Sequence, residues 1–239
     1  NIKWFDLIPV FAWLALRGRC RACGSRISLQ YPAVELSMGV VFALVGGAHL
    51  PPLMTLIALL ICAILIAITA YDILHTIIPD AWVWSFNALA LLALIFNFSA
   101  EGGSASGGQF SIFNLLAGPA VAFPLFALWL VSKGRWMGLG DVKLSLGIGW
   151  LLGPLTGLES LLLAFIIGAI VSVCVLLPLP HLTRFLKEKG IAHSGSSKSY
   201  TMKSEIPFGP FLIISCICIW LLGIYGIDPL FIFGPLPPH

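Results

Sequence analysis

Two aspartates stand where an apolar sequence has least use for them. Asp72 closes the run LMTLIALLICAILIAITAYD, residues 53–72, and Asp141 opens another within MGLGDVKL, residues 137–144. An Asp inside a membrane helix costs on the order of 3 kcal/mol near the bilayer centre and less toward the ends, so such residues face protein or a water-filled cavity. Two carboxylates brought close cannot both ionise comfortably, and they share a proton. One then acts as base toward a water while the other, protonated, polarises a peptide carbonyl. That is aspartic-protease chemistry, and it needs no cofactor.

The neighbours of Asp141 suit that chemistry. Gly138 and Gly140 mark a place where backbone must turn and come close to another helix or an extended substrate. Lys143 either lies at the membrane edge or tunes the charge of the pair, and Asp80, after Pro79, is expected to cap the helix that follows. His75 reads as a solvated loop histidine, and Glu35 as a cap or a partner for the arginines of 17–26. The turn Pro207-Phe208-Gly209-Pro210 breaks the chain before its last apolar segment.

The elements that would position these residues are helices in a membrane. Of 239 residues 59% are hydrophobic and only 10% charged, and the mean hydropathy is +1.02. Soluble domains carry about 25% charged residues, so this chain could not cover a water-facing surface. About 20 apolar residues span the hydrocarbon, and seven segments qualify: 33–49, 53–71, 81–98, 112–132, 142–157, 160–180 and 209–227. Backbone in lipid must satisfy itself, so the expected fold is all-α and polytopic. A small Cys-containing loop region, 1–32, precedes the transmembrane part, 33–239. With no initiator Met and a polar opening, the chain is expected to start downstream of a natural N-terminus.

Placing residues 1–32 in the cytoplasm and threading seven helices puts all 13 Lys and Arg residues at the cytoplasmic face. Segments 72–80, 133–141 and 181–208 then lie on that side, and 99–111 and 228–239 lie outside. The net charge of +3 thereby reports orientation and contact with anionic lipid. No basic stripe interleaved with base-stacking aromatics points to nucleic acid.

YDILHTIIPD, 71–80, and GLGDVKLSLGIGWLLG, 138–153, resemble the two aspartate motifs of the type IV prepilin peptidases. Residues 4–36 resemble the long cytoplasmic loop of the bacterial members, and EIPFGPFL, 205–212, the segment before their last helix. The resemblance implies Asp72 and Asp141 as the catalytic pair. It also implies cleavage of a short basic leader from prepilins or pseudopilins on the cytoplasmic side of the bacterial inner membrane. Many bacterial relatives also methylate the new N-terminus from S-adenosylmethionine, but no glycine-rich nucleotide fingerprint here supplies that activity independently.

Bacterial members usually have a further helix and a first C-x-x-C pair at the N-terminus. Cys20 and Cys23 are expected to bind zinc only where that second pair precedes Asn1, since two thiolates do not complete a tetrahedral site. Cys62, Cys174, Cys216 and Cys218 lie in apolar segments and read as small packing residues. A presenilin-like protease shares the Tyr-Asp and Gly-x-Gly-Asp pairs, but its Pro-Ala-Leu signature is absent. A transporter using the two aspartates would hold them near midplane in broken helices.

Overall fold

The structure is a computed structural model that describes residues 10–96, 112–176 and 207–227. Among these there is no strand, only an isolated bridge between Arg19 and Arg26. A short α1 (Phe11–Ala15) leads to α2 (Gln30–Gly47), α3 (Pro52–His75), α4 (Asp80–Ile95), α5 (Ile112–Ser132), α6 (Leu139–Leu152) and α7 (Pro154–Val171). A π-helical turn, Ser172–Leu176, continues α7, and α8 (Gly209–Ile224) follows. Each of the seven apolar segments therefore carries a helix. Three are long and apolar enough to cross a membrane: α3, α5 from Asn114, and α7 extended to Cys174. α4 and α8 are apolar but shorter. α6, at 14 residues, is only about 21 Å long against about 30 Å of hydrocarbon.

Two boundaries differ from the sequence reading. α3 runs on to His75, so Asp72 lies inside a helix, not in a loop. Thr76, in the left-handed conformation (φ 54), ends it by donating its N–H to the Asp72 carbonyl at 2.7 Å. α6 and α7 meet at a single residue, Gly153, whose φ of 88 suits glycine; Pro154 then starts α7. The break between the apolar segments 142–157 and 160–180 therefore falls at Gly153, and residues 157–160 are helical.

The outer surface is apolar on the long helices. Leu53, Leu56 and Leu60 of α3, Phe123, Leu130 and Val131 of α5, and Leu162, Ile166 and Ile170 of α7 are all exposed. Water-soluble monomers rarely show such continuous patches, and the helices that carry them are the ones long and apolar enough to cross a membrane. The interior is built round α6 and α8. α6 lies against α4 and α5, and α8 against α3 and α7. Trp220, Ile213 and Cys216 of α8 are buried with Ile61, Cys62 and Leu65 of α3. Cys62 and Cys216 thus serve as small packing residues, whereas Cys174 and Cys218 face outward.

Apolar helices gain little by leaving lipid for one another, so close packing of small residues must hold them. A Cβ on Gly147 would strike Phe86 and Asn87 of α4, and one on Gly149 would strike the Ala117 carbonyl of α5. A few hydrogen bonds tie the helices further. Gln30 Nε2 donates to the Ala70 carbonyl (2.8 Å), Tyr225 to the Leu44 carbonyl (2.8 Å), and Ser160 pairs with Ser215 (3.2 Å).

One of these bonds repairs a defect. Pro119 stands inside α5 and has no N–H to give the carbonyl four residues back, which is that of Leu115. Trp150 Nε1 of α6 donates to that carbonyl at 2.9 Å. Trp150→Phe should therefore destabilise the protein by about 1–3 kcal/mol, by orphaning the carbonyl. In a Pro119→Ala background, where residue 119 regains an N–H, the same change should cost clearly less. Denaturation of the four variants in detergent measures the difference, and equal costs in both backgrounds would refute the repair.

Candidate active site

Asp72 lies in the last turns of α3 and Asp141 in the first turn of α6, only 3% and 7% exposed. Neither is a helix-end residue bathed in headgroup water. The fold brings them into the same neighbourhood, where the charge of Asp72 acts on Asp141. A Cβ on Gly138 would lie 3.9 Å from Asp141 Oδ2, so the main chain before α6 runs beside this carboxylate. Asp141 Oδ1 is buried without a hydrogen-bond partner, a state that folded proteins rarely leave without a reason.

A third element closes the site. Gly209 is the first residue of α8, and a Cβ there would lie 2.5 Å from Asp72 Oδ2 and 3.1 Å from Ile78 Cδ1. A Cβ on Gly140 would lie 3.0 Å from Ile78 Cβ. Ile78, from the α3–α4 connection, is thus seated between Gly140 and Gly209, beside the backbone that carries Asp141 and the glycine that touches Asp72. Both carboxylates lie at helix N-termini, Asp141 at its own and Asp72 at that of α8, where the dipole interacts favourably with negative charge.

The remaining residues singled out in the sequence fall around this centre. Gly138 is the extended residue (φ −77, ψ 151) before α6, which has no side-chain cap. The capping expected of Asp80 is not what its carboxylate does. Pro79 occupies the cap position without a side-chain hydrogen bond, and Asp80 lies within the first turn of α4. Its Oδ1 instead accepts from Lys143 Nζ at 2.8 Å, so the lysine is committed to Asp80. Lys143 is held a second time, because its carbonyl accepts from the buried amide of Asn87 at 3.1 Å. Exposed ion pairs contribute about 0.2–1 kcal/mol, and a glycine within a helix costs about 0.5–1 kcal/mol. The two are comparable, so contacts from α4 decide how well the glycine-rich start of α6 is ordered.

His75 is exposed, as expected, though it belongs to the last turn of α3; its ring lies 4.4 Å from that of Tyr71, which meets Trp82 edge-on at 5.5 Å. Glu35 accepts the Val10 N–H at 2.8 Å and so fastens the N-terminal loop to α2. The sequence did not single out Ile78 or Asn87, and it marked Gly209 only as part of the turn that breaks the chain before the last helix. A glycine between an aromatic and a proline at a helix start was the one available signal.

Cys20 and Cys23 share a tight turn. The Cys20 N–H donates to the Ser25 carbonyl (2.8 Å), the Gly24 N–H to the Cys20 carbonyl (2.9 Å), and Gly24 has φ 69. The turn sets the two thiols near each other. They supply half of a tetrahedral zinc site, and no group of three or more metal-binding side chains occurs among the described residues. Hydrogen bonds from Ser25, chiefly its hydroxyl, draw the Cys23 thiol down from 9.0 to about 7. Cys23 should therefore reach half-maximal alkylation near pH 7, and Ser25→Ala should move that midpoint upward. Peptide mass spectrometry across pH reads both values; an unchanged midpoint in the variant would contradict the assignment.

Comparison with known proteins places this arrangement. The bacterial peptidase A24 N-terminal domain matches residues 1–48, and the type IV leader peptidase family matches residues 59–173, a stretch that includes both aspartates. A prepilin leader peptidase/N-methyltransferase of Aeromonas hydrophila is 32% identical over 228 residues, covering 94% of this chain and 68% of the relative. One of Stutzerimonas stutzeri is 32% identical over 237 residues, covering 95% and 69%. One of Neisseria gonorrhoeae is 35% identical over 153 residues, covering 64% and 51%. No solved structure matches. Similarity that runs through the N-terminal loop, both aspartate motifs and the helices between them makes this chain a member of the prepilin leader peptidase/N-methyltransferase family.

Proposed function

We propose that this protein is a membrane-embedded aspartic endopeptidase that removes the leader from type IV prepilins or pseudopilins at the cytoplasmic face of a bacterial inner membrane. The observation that carries the reading is the convergence of Asp72 and Asp141. They stand 69 positions apart in sequence (141 − 72) on different helices, yet both are buried at one end of the bundle. A water between them gives a proton to the ionised carboxylate and attacks the scissile carbonyl, whose oxygen takes the proton of the other. Collapse of the tetrahedral gem-diol breaks the C–N bond: the amine leaves with the proton that the first carboxylate took from water, and one diol hydroxyl returns its proton to the other, so the pair again shares one proton. The unpartnered Asp141 Oδ1 offers an acceptor for such a water.

Orientation rests on charge. With seven spans, the 13 Lys and Arg residues gather on the side where α3 ends and α6 begins, the side of the aspartates. Cys20 and Cys23 would add two thiolates to a structural zinc completed by a second pair. The relatives' names couple the peptidase to N-methylation. Methylation of the mature N-terminus from S-adenosylmethionine rests on that family membership.

Asp72→Asn and Asp141→Asn keep the volume and remove the ionisable group, so each should abolish leader removal from a prepilin precursor presented to the purified enzyme. The size shift of the precursor on a gel is the readout. Near-normal processing by either variant would defeat the proposal.

A further inference from the structure

We infer that Lys143 is a positioning residue for Asp141, held by α4 at both its side chain and its main chain; the inference rests on the proposed chemistry of the aspartate pair. Lys143 follows Asp141 by two residues, a spacing at which helical side chains do not face each other. Its charge is spent elsewhere, on Asp80 Oδ1 at 2.8 Å, while its carbonyl takes the Asn87 amide at 3.1 Å. Asp80 and Asn87 lie seven residues apart on α4, two turns along one face. That face therefore grips one residue of α6 twice. Between the grip and α3 runs the connection that seats Ile78 against Gly140.

The grip is placed where α6 needs it. The helix has glycine at its cap position, Gly138, and again at its second residue, Gly140, and no side-chain cap, so its first turn has little order of its own. Asp141 belongs to that turn. Exposed ion pairs add little to overall stability, but small misplacement of a reacting group is felt strongly in rate. The pair between Asp80 and Lys143 thus acts on turnover, by fixing where Asp141 stands relative to Asp72 and Ile78.

The experiment compares Lys143→Met, Lys143→Arg, Asp80→Asn, the exchange Asp80→Lys with Lys143→Asp, and Asp141→Asn as reference, all purified in the same detergent with a prepilin precursor as substrate. Lys143→Met and Asp80→Asn should each lower kcat at least tenfold with KM within twofold, and with melting temperatures close to that of the parent. Lys143→Arg should keep most of kcat, and the exchange should regain at least threefold over either single change. Full kcat in either single variant would overturn the inference, as would a loss that tracks melting temperature and that the exchange does not relieve. Activity in Asp141→Asn would instead strike at the peptidase reading, so the two failures are told apart.

Discussion

Helix α6 can carry a carboxylate into the interior because α4 and α5 approach its backbone more closely than any side chain would allow. Gly147 receives Phe86 and Asn87, Gly149 receives the Ala117 carbonyl, and Gly140 receives Ile78. In lipid this contact must come from packing and hydrogen bonds, as there is no water to expel from between apolar faces. The same closeness brings Trp150 to the carbonyl that Pro119 leaves open and Asn87 to the carbonyl of Lys143. A helix of 14 residues is thereby fixed from two sides.

Burial of two carboxylates opposes folding, and the architecture limits that cost. Both lie near helix ends, where the penalty within a membrane is below its midplane value. Each meets a helix N-terminus, where the dipole favours negative charge. Asp80, by contrast, is 65% exposed and has Lys143 Nζ 2.8 Å away. The structure thus separates an acidic residue that is neutralised at the surface from two that face each other's field inside.

Much of this was legible in the sequence. The seven helices followed from hydropathy alone, and the two aspartates stood out because charge is scarce in such a chain. The partners of each residue were not legible, since helices apolar all round carry no periodic mark of the face they present. Asp80 shows the limit: its position after Pro79 suggested a cap, yet its partner is Lys143, 63 residues later. Ile78 and Gly209 have the same character, as their part depends on a contact among three segments distant in sequence. The end of α3 was misplaced because a helix can continue past a charge when apolar residues such as Ile73 and Leu74 follow it.

The central claim is that Asp72 and Asp141 work as one unit, and residual rates test it most directly. Groups that share a proton fail together, so removing the second after the first should change almost nothing. Single-turnover cleavage of a prepilin precursor by Asp72→Asn, Asp141→Asn and the double variant should give three residual rates that coincide within a few-fold. A double variant slower than either single by the product of their separate losses would show two independent contributions, and would contradict the account.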